Sequence, residues 1–390
     1  MTVRHHIAIC GAGPAGLAAA LALNRQGHRI TLFDQFETPK PLGSGLILQP
    51  TGLAVLDWLG AGDRIRRLGA RIDRLYGKAC GSERVVLDVR YAALGEARGL
   101  AVHRAALFNV LHEAVAEAGI DLETSGLVKD LDGTSVILNQ GRRTVRFDLV
   151  IDALGSRSPL IAHAAAPDYR KRLDYGAIWA SLPWPGGRFD AHALEQRYDR
   201  AAVMLGILPI GRQRELMPEQ TAFFWSLKTA EFGVWRQRGL AAWKDQVLRH
   251  WPECSPVLEA IISPEQMILA AYDHHTLALP YGERLVFIGD SAHSTSPQLG
   301  QGANMALLDV RALASSLQEK PDLRDALAAY ARKRRLHVKL YQMLSRVFTP
   351  FYQSDSLLLP LARDHLVAGL SRLPPVQRML AAIVSGRLGL

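Results

Sequence analysis

The chain has 390 residues, of which 48% are hydrophobic and 21% charged, with a formal net charge of +9. Those proportions describe an ordinary globular protein with a sizeable core and exclude a disordered or low-complexity chain. The length fits two domains, or one large domain carrying an insertion.

Three cysteines, Cys10, Cys80 and Cys254, lie far apart and match no metal spacing. A sparse, odd set argues for a reducing compartment without structural disulfides. Residues 7–23 carry no charge, but their glycine spacing reads as strand, turn and helix rather than a secretion signal. No other stretch is long and apolar enough to span a bilayer, so a cytoplasmic protein is expected.

The first elements form a strand–helix–strand unit over residues 5–34, the start of a parallel sheet. Gly11-Ala-Gly13-Pro-Ala15-Gly16 joins its first strand to its helix. Gly11 permits the tight turn, Gly13 lets a pyrophosphate approach the backbone, and Gly16 allows close helix–strand packing. The free N–H groups of the helix start favour phosphate. Asp34 closes the next strand and can accept from ribose hydroxyls. This is a dinucleotide site, and the motif alone does not separate NAD from FAD.

A helix follows over 104–118, then strands near 120–125, 134–138 and 144–151. From 172 to 230 the pattern alternates and is rich in aromatic residues, as an antiparallel sheet requires. Phe223 and Trp225 share one face of a strand there, and are the expected contacts for a flat substrate. Helix returns over 232–250, and a strand at 284–288 runs into Gly289-Asp290. Beyond residue 302 the chain reads as helix, divided at Pro350, Pro360, Pro374 and Pro375.

Residues 331–390 hold ten Lys or Arg against two acids. The plain reading is a solvated helix face around Arg332, Lys333, Arg334 and Arg335. An anionic membrane surface is the alternative, while the weak aromatic interleaving argues against nucleic acid. His274 and His275 point to opposite faces of a strand, which disfavours a metal pair.

Gly289-Asp290-Ser-Ala-His293, Pro297, Gly300-Gln301-Gly302, Asn304 and Asp309 together resemble the second FAD signature of the single-component flavoprotein aromatic hydroxylases. That group includes the para-hydroxybenzoate, salicylate and ubiquinone-biosynthesis hydroxylases. The resemblance implies an α/β fold. Its Rossmann-like FAD-binding domain would span 1–72, 98–171 and 270–350. A β-rich substrate domain would take 73–97 and 172–269, leaving a helical segment at 351–390.

By the same resemblance, Asp290 binds the ribityl chain and Pro297 lines the flavin and the substrate. Gly300, Gln301 and Gly302 present N–H groups to the pyrimidine edge, and Asn304 lies just inside that helix. Arg104 matches the arginine near the pyrophosphate, Val128 the adenine contact, and Gly43-Ser-Gly45 the loop across the flavin. The implied activity is hydroxylation of a hydrophobic aromatic or quinone-like compound with NADPH or NADH and O2, through a flavin 4a-hydroperoxide.

The flavin carries that chemistry, so no acid/base pair is required. His293, like His274 and His275, could handle a proton, but a structural or solvent-facing histidine is the plainer reading. The middle signature departs from the family, with Leu154-Gly155 where Asp-Gly is usual, which bears on nicotinamide use. A flavin dehydrogenase or reductase of the same fold, and a non-catalytic flavin protein, are the other readings.

Overall fold

A computed structural model describes residues 3–37, 43–82, 84–165, 168–367 and 373–390. Its centre is a five-stranded parallel sheet in the order Leu285–Phe287, Leu149–Asp152, His6–Cys10, Arg29–Phe33, Asp121–Glu123. Alternation sorts the first strand. Ile7 and Ile9 face a core formed with the helices, while Ala8 and Cys10 face Phe33, Val128, Val136 and Phe147. Burial holds the Cys10 thiol well above its ordinary pKa, so it serves as a small apolar side chain.

The helix Pro14–Arg25 is alanine-rich, which lets the long helix Gly302–Glu319 lie close against it. Strand order turns at His6–Cys10, and ligands of such sheets bind outside the carboxyl ends of the strands at that switch. Both glycine motifs arrive there.

The second sheet has seven strands, in the order Ile268–Ala270, Tyr175–Pro183, Gln220–Lys228, Val203–Gly211, Ala193–Asp199, Arg74–Ala79, Val85–Arg90. It is antiparallel except where Ala193–Asp199 runs parallel to Arg74–Ala79. One face packs on helices Phe232–Arg238, Leu240–His250 and Ser255–Glu259 through Trp235, Trp243 and Val257. The other face looks toward the parallel sheet.

Two expectations for the C-terminal part are corrected. Helix Leu323–Tyr352 continues through Pro350. A proline two residues from a helix end removes a single N–H bond, and Ser354 Oγ donates to the Pro350 carbonyl at 2.6 Å. Arg334 is 4% exposed rather than solvated, because its guanidinium pairs with Asp309 at 2.7 Å. The tail segment at 368–372 falls outside the described residues. Helix Pro374–Val384 packs Ala381 and Val384 beside Leu208 and Tyr91, and Ile383 beside Met305 and Tyr341. Among the described residues no helix is long and apolar enough to cross a membrane.

His274 and His337 are buried without acid partners, and burial lowers each to about 4. Both stay neutral in the fold while their unfolded counterparts protonate near 6.5. The unfolded state therefore binds more protons between pH 4 and 6.5, and stability falls as pH drops through that window. For His337 the slope reaches at most about 1.4 kcal/mol per pH unit. Urea midpoints measured from pH 7 to 5 should decline, and His337→Gln should flatten the decline. A flat wild-type profile would contradict the assignment.

Candidate active site

Gly11 has φ +105°, and a Cβ there would stand 2.6 Å from the Ala153 carbonyl oxygen. A Cβ on Gly16 would stand 1.9 Å from the Gly11 carbonyl oxygen. These two glycines shape the turn. Gly13 differs, because its backbone is extended (φ −73°, ψ 178°) and no atom lies within 4 Å of where its Cβ would be. The open space beside it is at the helix N-terminus, which has no acidic first-turn residue and no side-chain cap.

Asp34 Oδ2 accepts from the Ala12 N–H at 3.0 Å, and Oδ1 from that of Phe36 at 2.9 Å. The carboxylate therefore fixes the glycine turn, and it retains lone pairs for a further donor. Val128 is buried beside Phe33, one residue before Asp34.

A cavity of about 740 Å³ lies between the two sheets. Asp290, Pro297, Gly300, Gln301 and Gly302 line it, together with Gly45 and Arg104. Gly300 is left-handed (φ +60°) and turns the chain into helix Gly302–Glu319, whose N-terminus is again uncapped and free of acids. Its first N–H groups have no intrahelical partners.

Three buried oxygens on this segment, Thr295 Oγ1, Gln298 Oε1 and Gln301 Oε1, have no hydrogen-bond partner in the protein. Buried polar atoms are ordinarily paired, so these oxygens leave acceptor capacity for water or a ligand. Arg104 is joined to the 43–45 loop by its N–H, which donates to the Ser44 carbonyl at 2.8 Å. A Cβ on Gly43 would collide with the Arg104 side chain at 2.7 Å, so glycine at 43 makes room for that guanidinium.

Asn304 does not line the cavity. Its Oδ1 accepts from Gln49 N–H at 2.8 Å, while Nδ2 donates to the Ile47 and Gly300 carbonyls at 3.2 and 3.0 Å. It braces the turn from behind. His293 also points inward, with Nε2 at 2.6 Å from Asp309 Oδ2. Asp309 accepts in addition from Gly289 N–H at 2.8 Å and Arg334 Nε at 2.7 Å. Burial alone would raise this carboxylate, yet His293 and Arg334 hold it down to about 2.

Asp152, near the altered middle signature, is equally internal. Its oxygens accept from Ser158 Oγ at 2.5 Å and Leu154 N–H at 2.9 Å, and burial raises it to about 7. It shapes its own loop, and Ser156 is the residue of that loop that reaches the cavity.

The aromatic residues sort differently from the expectation. Phe223 and Trp225 pack against Trp243 on the helix-covered face of the seven-stranded sheet. Phe224 is the member of that run on the cavity, with its ring 4.6 Å from that of Trp179. The parity argument is sound, but the cavity-facing side is the other one. Gly206, opposite Phe224 across the sheet, leaves room for the ring: a Cβ there would stand 2.4 Å from Phe224 Cζ. A glycine inside an apolar strand was the available signal.

The sequence also left His103, Tyr272 and the helix Pro374–Val384 unassigned, and all three reach the cavity. His103 Nδ1 accepts from Ala105 N–H at 3.0 Å, so its Nε2 faces Ser181 Oγ at 3.1 Å. Gln301 Nε2 donates to the Val384 carbonyl at 2.5 Å, tying the last helix to the flavin-type turn.

A family model described as an FAD binding domain matches residues 4–198 and 238–345. The chain belongs to this FAD-binding domain family. FAD is thus the dinucleotide indicated, and the sequence resemblance to flavin hydroxylases is upheld by the relatives of this FAD-binding protein.

A putative 2-heptyl-3-hydroxy-4(1H)-quinolone synthase of Rhodococcus erythropolis is 25% identical over 88% of this chain and 87% of its own length. The 6-hydroxynicotinate 3-monooxygenase of Bordetella bronchiseptica is 26% identical, covering 85% and 87%. In fold, HpxO of Klebsiella pneumoniae, solved with FAD and uric acid, superposes with a TM-score of 0.82 at 20% identity, covering 100% and 99%.

Proposed function

We propose that this protein is an FAD-dependent monooxygenase that hydroxylates a hydrophobic aromatic compound, with NADPH or NADH as reductant and O2 as co-substrate. One observation carries the reading. The Asp290 and Pro297–Gly302 segment and the aromatic pair Trp179 and Phe224 line a single continuous cavity. A ring held at the turn and a flat substrate on the sheet would share one enclosed space.

When bound, FAD supplies the redox and oxygen-transfer chemistry. The residues supply position. Gly11, Gly13, Ala15 and Gly16 offer the helix N-terminus to the pyrophosphate, with Arg104 as counter-charge, Asp34 at the ribose and Val128 by the adenine. Asp290 accepts from the ribityl hydroxyls. The N–H groups of Gly300, Gln301 and Gly302, with the dipole of an 18-residue helix, favour negative charge on the ring edge beside them. The apolar walls keep water from the reacting space.

Purified protein should oxidise NAD(P)H with stoichiometric O2 uptake when its substrate is present, and the product should gain one oxygen by mass spectrometry. Turnover that persists unchanged without oxygen would instead favour a reductase. Asp290→Ala should lower FAD retention on gel filtration by about tenfold or more, roughly the value of a charge-assisted hydrogen bond. Full retention would remove Asp290 from the site.

A further inference from the structure

We propose that the substrate is an uncharged aromatic compound whose oxygen atom is met by the Tyr272 hydroxyl, and that aromatic carboxylates are rejected. This rests on the monooxygenase reading above.

The charges around the cavity carry it first. Among the described lining residues Arg104 is the sole Arg or Lys, whereas Glu265, Asp273 and Asp290 are all acidic. Arg104 lies against Gly43 and Ser44 and its charge is also felt at Tyr272; in the FAD site proposed above that charge goes to the pyrophosphate. His103 is held below its ordinary pKa by burial and is neutral at pH 7. With that one cation engaged by the pyrophosphate, a substrate carboxylate would enter a low-dielectric space with no further Arg or Lys among the described lining residues and with acids nearby. An unpaired buried charge is strongly disfavoured. A cavity that selects acids would need a bidentate arginine on the substrate side.

The walls agree. Beyond Trp179 and Phe224, the space continues over Leu75, Leu87, Leu194 and Leu380. Such aliphatic surface suits an apolar ring or substituent.

The polar contact is Tyr272. Its hydroxyl oxygen accepts from Trp179 Nε1 at 3.0 Å, and no acceptor for its own proton is present among the described residues. Burial raises the phenol to about 12 against the opposing Trp179 and Arg104, so it is a permanent donor at working pH. Tyr272, Trp179 and Phe224 all line the cavity, so an oxygen on a ring held there could accept this one hydrogen bond.

The test uses the FAD-loaded enzyme and three matched probes: 2-naphthol, 2-methylnaphthalene and 2-naphthoate. Binding is read by calorimetry and tryptophan quenching, without turnover. At pH 7.5, 2-naphthol should bind at least about tenfold more tightly than 2-naphthoate, a difference of one uncompensated charge. Tyr272→Phe should weaken 2-naphthol about three- to tenfold, the value of one neutral hydrogen bond, and leave 2-methylnaphthalene unchanged.

Equal or tighter binding of the naphthoate would overturn the proposal, as would no saturable binding of either uncharged probe. A Tyr272→Phe loss shared by both uncharged probes would show a packing role only. These isotherms are independent of the product assay, so a failure to insert oxygen speaks against the monooxygenase reading and not against the probe selectivity.

Discussion

Gly13→Val should leave the fold intact and abolish tight FAD binding, whereas Gly16→Ala should damage the fold itself. The two residues sit three positions apart in one motif, but their surroundings are opposite. At Gly13 the backbone is in a conformation open to any L-residue, and no protein atom lies within 4 Å of the added Cβ. Replacing glycine at such a position is neutral or slightly stabilising, because the unfolded chain loses freedom. The new side chain occupies the space at the helix N-terminus where a pyrophosphate would meet free N–H groups.

The expected result for Gly13→Val is an unfolding free energy within about 1 kcal/mol of wild type, the poorer N-cap included, and an FAD affinity weaker by about 100-fold, or ~3 kcal/mol. At Gly16 a methyl would stand 1.9 Å from the Gly11 carbonyl oxygen, and helix and strand must separate. A loss of about 3 kcal/mol or more is expected even without cofactor, at the upper end of overpacking costs. Unimpaired FAD binding by Gly13→Val would place the phosphates elsewhere.

Asp309→Ala should destabilise the protein by about 3–5 kcal/mol, the usual cost of removing one partner from a buried ion pair. Asp309 is fully buried and gathers the Gly289 N–H, His293 and the Arg334 guanidinium. Without it the guanidinium remains buried near His337 with no counter-ion. The loss should also reach the cofactor. Gly289 precedes Asp290, and Asp309 lies on the helix whose N-terminus meets the cavity, so FAD content should fall together with stability.

Asp309→Asn keeps the shape but not the charge, and should fall between wild type and alanine. Chemical unfolding with and without added FAD separates the two effects. A loss below about 1 kcal/mol for Asp309→Ala would mean that the pairing is not worth its desolvation.

His293 takes the structural role rather than the proton-handling one. Its neighbour Asp290 lines the cavity, while His293 turns inward to Asp309. The histidine pair at 274–275 resolves similarly. His274 Nε2 meets Ser345 Oγ at 3.3 Å and His275 Nε2 meets the Ser291 carbonyl at 2.8 Å, so both are buried structural residues.

The sequence by itself determined the cofactor half of this protein. Gly11 to Gly16, Asp34 and the run from Gly289 to Gly302 are contiguous motifs, and their spacing encodes backbone shapes that few other residues can adopt. The tertiary structure decided which aromatic residues face the cavity. Strands Val203–Gly211 and Gln220–Lys228 are buried along almost their whole length, because helices cover one face and the cavity region the other. A strand buried on both faces has no polar alternation to say which side is which. Phe223 and Phe224 were therefore interchangeable on paper, and only the packing of Trp243 separates them. Tyr272 and Leu380 come from segments more than one hundred residues apart, and chain folding alone brings them to the same cavity.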